Sequence, residues 1–187
     1  MVRSLLASLL TAALLLGGCA HLQPPAAGFD EPVYMAHYQL DSGDRLRVIV
    51  FGQDSLSNIY AVDSTGSISM PLIGRIGSRG LTPQVLERHV EQRLREGFLR
   101  EPKVSIEVEQ YRPFFILGEV TQPGQYPYVN GLTVQTAIAI AGGFTARGSQ
   151  RTAEITRIVN GETIVSRVPV TNPVRPGDTI AVKERFF

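Results

Sequence analysis

From Tyr38 onward, apolar and polar residues alternate in short runs separated by Gly, Pro, Asn and Asp, the pattern of strands joined by turns. In DSGDRLRVIVFG, a turn over Asp41–Asp44 opens a strand with Leu46, Val48 and Val50 on one face and Arg45, Arg47, Ile49 and Phe51 on the other, so one face is made for burial. IYAVDSTGSISMPLIG reads as a hairpin turning at Asp63-Ser64-Thr65-Gly66, with Pro71 at an edge or at the strand's end. The period then changes. LTPQVLERHVEQRLREGF stacks Leu86, Val90 and Leu94 four apart, offers Thr82 as N-cap and Pro83 as first helical residue, and stops at Gly97. His89 and the Glu and Arg residues of this helix are expected to face outward. KVSIEVEQY returns to alternation, with Val104, Ile106 and Val108 inward, and a first unit closes near Tyr111.

A second unit starts at Arg112. RPFFILGEV reads as a buried strand, and PGQYPYVNG as a turn-rich segment. LTVQTAIAIAGGF reads as a short helix capped by Thr133 and ended by Gly142-Gly143. Its body, Val134 to Ala141, is apolar on nearly all sides and should be buried against a sheet. TAEITRIVNGETIVSRV predicts a hairpin about Asn160-Gly161, and RPGDTIAVKERFF a turn and a last strand with Ile180 and Val182 inward. Ser42-Gly43-Asp44 and Pro176-Gly177-Asp178 each precede an apolar strand. Gly suits a tight turn and Asp accepts backbone N–H groups as a strand opens, so both are read as structural turns rather than catalytic sites.

The N-terminal stretch is of another kind. Arg3 is the only charge before Cys19, Leu5–Leu16 is almost wholly apolar, and Gly17 and Gly18 are small: a signal peptide, 1–18, too short for a comfortable membrane span. Cys19 is the only cysteine, so it can form no internal disulfide and supplies too few ligands for a thiolate metal site. LGGC closely resembles the bacterial lipoprotein box, which implies a lipid-attached Cys19 after cleavage; Ala20 in place of Asp favours the outer membrane. A multiply acylated cysteine is membrane-bound for practical purposes, since each buried CH₂ contributes about 0.8 kcal/mol. Residues 19–37, with three prolines between His21 and His37 and no sustained period, read as an extended tether.

Composition narrows function further. The whole chain carries 18 basic and 17 acidic residues, so there is no basic field to recommend nucleic acid as a partner. His21, His37 and His89 are scattered, and no HExxH, GxSxG or metal-ligand spacing occurs, so no enzyme, metal or cofactor is expected. Glu119 is the most tempting acid, though its turn setting points to a structural role. Tyr111, Phe114, Phe115, Tyr126 and Tyr128 are dense enough to offer stacking faces to a sugar. Phe114 and Phe115, on a strand, are expected in the core; Tyr126 and Tyr128, in the turn-rich segment, are the candidate glycan contacts.

In order, the blocks YQLDSGDRLRVIVFGQDSLSNIYAVDSTGSISMPLIG, GLTPQVLERHVEQRL, YRPFFILGEVTQPGQYPYVNGLTVQTAIAIAGGFT and RPGDTIAVKERFF resemble the bacterial outer-membrane polysaccharide export lipoproteins. The GEVxxPGxY run (Gly118–Tyr126) and the AGGFT run (Ala141–Thr145) look like that family's soluble-ligand-binding β-grasp (SLBB) module. The resemblance implies an α+β fold: a small mixed-sheet export domain over 38–111, then a β-grasp-like module over 112–187. It further implies a periplasm-facing homo-oligomeric ring at the outer membrane, passing capsule or exopolysaccharide together with an inner-membrane polysaccharide co-polymerase. Longer relatives add a second module and a pore-lining C-terminal helix, whereas this sequence stops at Phe187 after its last strand. A separate outer-membrane channel protein is therefore an expected partner. The other class in view is a glycan-binding envelope lipoprotein, a sensor or scaffold with no transport role.

Overall fold

A computed structural model describes residues 38–159 and 161–185; the signal peptide, Cys19, the tether and Asn160 lie outside the described residues. The chain is α+β. Strands β1 (Arg45–Val50), β2 (Asn58–Ala61), β3 (Ser67–Met70), β4 (Gly74–Gly77), helix α1 (Pro83–Arg95) and strand β5 (Val104–Gln110) build one layer system. Strands β6 (Phe114–Gly118) and β7 (Gly124–Tyr126), helix α2 (Val134–Ile140) and strands β8 (Thr152–Val159), β9 (Glu162–Pro169) and β10 (Thr179–Val182) build the other.

The first hydrophobic core follows from alternation. β1 lies between β2 and β5, antiparallel to both. Its inward Leu46, Val48 and Val50 stand opposite Val108, Ile106 and Val104 of β5, so the side chains of one pleat face meet as cross-strand pairs. Leu86, Val90 and Leu94 of α1, all fully buried, close over the same cluster. The helix starts where expected: Thr82 Oγ1 accepts from the Val85 N–H at 3.3 Å, and Pro83 fills the first turn. His89 is exposed, but two of the helix's acids are not idle on the surface. Glu91 accepts from the Val104 N–H at 3.0 Å and Glu87 from the Ile106 N–H at 2.8 Å, which satisfies the outer edge of β5.

The Asp63–Gly66 turn forms, with the Gly66 N–H on Asp63 O at 2.9 Å, but its arms do not pair as a hairpin. β2 joins β1, whereas β3 pairs with β4 in a two-stranded sheet of its own. Ile68, Met70 and Ile76 thereby reach the core from a second direction. β3 ends at Met70, before Pro71.

In the second layer system the strand order is β7-β6-β10-β8-β9. The last strand lies in the middle, parallel to β6 and antiparallel to β8, with Ile180 opposite both Ile116 and Ile155. β8 and β9 pair from Thr152↔Pro169 to Val159↔Glu162, as the predicted hairpin requires. Thr133 caps α2 through a reciprocal capping box with Thr136, and the helix seats Val134, Ala137 and Ile138 on the sheet. α2 is buried against the sheet as expected, although its apolar outer side stays in solvent, with Ile140 49% exposed. The expectation of a buried β6 fails on one face: Phe114 and Ile116 are inside, but Phe115 is 38% and Leu117 50% exposed. One sheet face has a helix over it and the other does not, so a continuous apolar run overstates burial.

Candidate functional site

The two cores meet at Arg112. Asp44, wholly buried, accepts from the Tyr38 hydroxyl at 2.7 Å, the Asp41 N–H at 2.9 Å, the Arg112 N–H at 2.9 Å and Arg112 Nη1 at 3.3 Å. The same Nη1 donates to the Tyr38 oxygen at 2.8 Å, so arginine, tyrosine and aspartate form a closed triangle. Burial pushes the Tyr38 hydroxyl far above its ordinary range; the Arg112 charge opposes the rise, and the Asp44 charge and hydrogen bond add to it. Tyr38 therefore stays a neutral donor. A column of edge-to-face rings runs alongside, with Tyr38 4.8 Å from Tyr111 and Tyr111 5.5 Å from Tyr128. It crosses from the first core to the second.

The repeated Gly-Asp turns both belong to this joint. Asp178, 1% exposed, holds Arg157 through two bonds of 2.8 and 2.7 Å and accepts from the Arg175 N–H, as Asp44 organises its own turn. Each turn thus uses a buried aspartate to receive backbone N–H groups, and each presents its glycine to Arg112. The role read from sequence is correct, but the partner, Arg112, and the triangle with Tyr38 were missed. A cue was present for Arg157: it stands in phase with the inward Ala153 and Ile155, a position where a charge demands a partner.

Tyr126 and Tyr128 are half-buried and both pack on the second core. The Tyr126 ring stacks on Phe114 with centroids 5.9 Å apart, and its hydroxyl donates to Gln122 O. Tyr128 is the end of the aromatic column. Glu119 accepts from the Thr145 hydroxyl and from Arg147 Nη2 at 3.3 Å, a structural setting. With Thr121 bonded to Gly142 O and Gly143 O, this laces the GEV run to the AGGFT run. Among the described residues, no group of three or more His, Cys, Asp or Glu is placed to hold a metal, and no helix is long and apolar enough to cross a membrane.

Residues 34–109 match the polysaccharide biosynthesis/export protein family, and residues 113–167 match the SLBB domain. Arg112 falls between the two. The chain belongs to the polysaccharide export proteins in which an N-terminal export domain is followed by an SLBB module. It is 34% identical over 141 residues to the exopolysaccharide production protein ExoF of Rhizobium meliloti (strain 1021). That alignment covers 68% of this chain and 34% of the relative, so the chain aligns with about a third of that protein's length.

Proposed function

We propose that this protein takes part in exporting a capsule or exopolysaccharide across the outer membrane, as a periplasm-facing lipoprotein anchored through Cys19. The observation that carries the reading is the export domain joined to an SLBB module, in a chain similar to an exopolysaccharide production protein. In this reading the units are 38–111 and 112–187, subunits assemble as a ring, and the ring works with a separate outer-membrane channel and an inner-membrane co-polymerase. The Arg112 joint supports ring assembly, because fixing one unit against the other presents a defined surface to each neighbour. Glycan contact is placed at Tyr126 and Tyr128; Tyr128 is the stronger of the two, since one Tyr126 face is taken by Phe114.

Deletion of the gene should trap polysaccharide in the periplasm; unchanged secretion without a compensating paralogue would overturn the reading. Cys19→Ser should release the protein from envelope fractions. Conductance from the purified acylated protein alone in bilayers would remove the separate channel. A glycan-binding role without transport is the second reading, favoured by the Tyr38–Tyr111–Tyr128 column, and it predicts a monomer that binds glycan rather than a ring.

A further inference from the structure

An open cleft of about 260 Å³ lies between β4 and α1 and shares no residue with the joint; Arg75, Ile76, Gly77, His89, Gln92 and Arg93 line it. Its polar side chains, two guanidiniums, an imidazole and an amide, all carry N–H groups, and none is a carboxylate. Arg93 is held in place by one bond, Nη2 to Ile73 O at 3.2 Å, which leaves the rest of its fork to face a ligand. The charge of Arg75 contributes to lowering the Asp63 carboxyl, yet among the described residues Arg75 makes no ion pair.

The β3–β4 ladder adds backbone donors. The Ser78 N–H bonds Gly66 O at 2.8 Å, a phase that makes Ile68 and Ile76 the hydrogen-bonded pair. The N–H groups of Arg75 and Gly77 are therefore turned to the outer edge of β4, which pairs with no further strand. At Gly77 nothing lies within 4 Å of where a Cβ would stand, so the sheet face beside that edge is open to a ligand.

We propose that this cleft binds a carboxylate-bearing sugar, a uronate residue of the polysaccharide the protein handles. A carboxylate accepts from guanidinium and backbone N–H groups together, which a neutral sugar does only through weaker hydroxyl contacts. The volume sits just below the range of about 300–1,000 Å³ usual for small-molecule pockets, which suits one or two rings rather than a folded glycan. Its only large apolar residue, Ile76, is buried, so nothing here inserts into a lipid surface. The inference rests on the export reading for the origin of the ligand, though the site can be tested without it.

Calorimetric titration of the whole purified chain with trigalacturonate, with neutral maltotriose and with anionic phospholipid vesicles separates the cases. Trigalacturonate should bind in the millimolar range or tighter and shift the Arg75 and Gly77 amide resonances, while maltotriose should not. Arg75→Gln should weaken binding about tenfold, and adding His89→Gln should weaken it further. Both side chains are exposed, so an unchanged melting temperature shows that the fold is kept. Equal affinity for the neutral sugar, no binding of trigalacturonate, indifference to both substitutions, or vesicle binding by the Cys19→Ser chain that is lost on Arg75→Gln would each overturn the proposal. If deletion blocks secretion while trigalacturonate ignores the cleft, the export reading stands and this site falls; the opposite pair of results keeps the site and removes the export reading.

Discussion

Gly43 and Gly177 stand against the same side chain: a Cβ on the first would lie 3.3 Å from Arg112 Cβ, and one on the second 2.8 Å from Arg112 Nε. Both glycines hold positive φ, +95° and +86°. Two strand-opening turns, one from each core, thus close on one arginine whose charge is answered by a buried aspartate. Backbone that only glycine tolerates and a desolvated ion pair coincide at the point where the units must be held in register.

Removing that arginine should loosen the units from each other. Arg112→Ala leaves Asp44 buried with fewer donors and is expected to cost about 2–3 kcal/mol in urea unfolding, with the transition broadening or splitting. Arg157→Ala breaks a pair in which both partners are buried and should cost about 3–5 kcal/mol. If Arg112→Ala proved as stable and as cooperative as the parent, the joint would not couple the units.

Gly118 should tolerate no side chain. Its φ is +83°, and a Cβ would come 2.2 Å from the Val182 carbonyl oxygen, inside the β6–β10 pairing. Gly118→Ala should cost about 3 kcal/mol or more, the sum of left-handed strain and a forced separation of strands. Gly131→Ala is the control: φ is +81° with nothing within 4 Å of the added carbon, so only the strain of about 1–2 kcal/mol is expected. Similar melting temperatures for the two variants would refute the steric account.

Stability should fall at both ends of the pH scale for separate reasons. Burial alone would raise Asp41, but the Ser42 N–H and Arg79 outweigh it and hold the carboxyl low; Asp63 is held low by the Thr65 hydroxyl and the Ser67 N–H. Groups lowered by folding stabilise above their unfolded value of about 3.9, and that stability is lost as pH falls through the folded values. Tyr38 is shifted upward, so its contribution is complete below the unfolded value of about 10 and is lost as pH rises beyond it. Asp41→Asn should flatten the acid limb and Tyr38→Phe the alkaline limb of a stability profile, each with a lower plateau. An alkaline limb unchanged in Tyr38→Phe would sink the second assignment.

Glu87 and Glu91 guard a sheet edge. Glu87→Ala should leave the Ile106 N–H without its partner, costing about 1–2 kcal/mol, and the double alanine variant should aggregate faster on mild heating. Substitution of Glu96, which caps no strand, should do neither.

Some of this was legible before any fold was known. The 3.6-residue spacing of Leu86, Val90 and Leu94 and the period of two through Leu46–Val50 survive intact, because each is set by geometry within a few residues. The same holds for Thr82, Thr133 and the Gly-Asp turns, whose side chains act on their own neighbours. What failed was pairing across distance. The Asp63–Gly66 turn says nothing about which strand β2 and β3 will choose, and both chose partners other than each other. Exposure of Phe115 and Ile140 depends on which faces another element covers, information that no local window holds.

For this protein, then, periodicity, caps and turn chemistry in the chain determined which segments become strands and helices, and their motif order determined the family. The tertiary structure alone decided that β10 would enter the middle of its sheet, that Arg112 would be shared by two distant turns, and that Arg75, His89 and Arg93 would converge on one cleft. Local conformation responds to neighbours a few bonds away. Partner choice responds to the closure of long loops and the packing of whole faces, which exist only once the chain has folded.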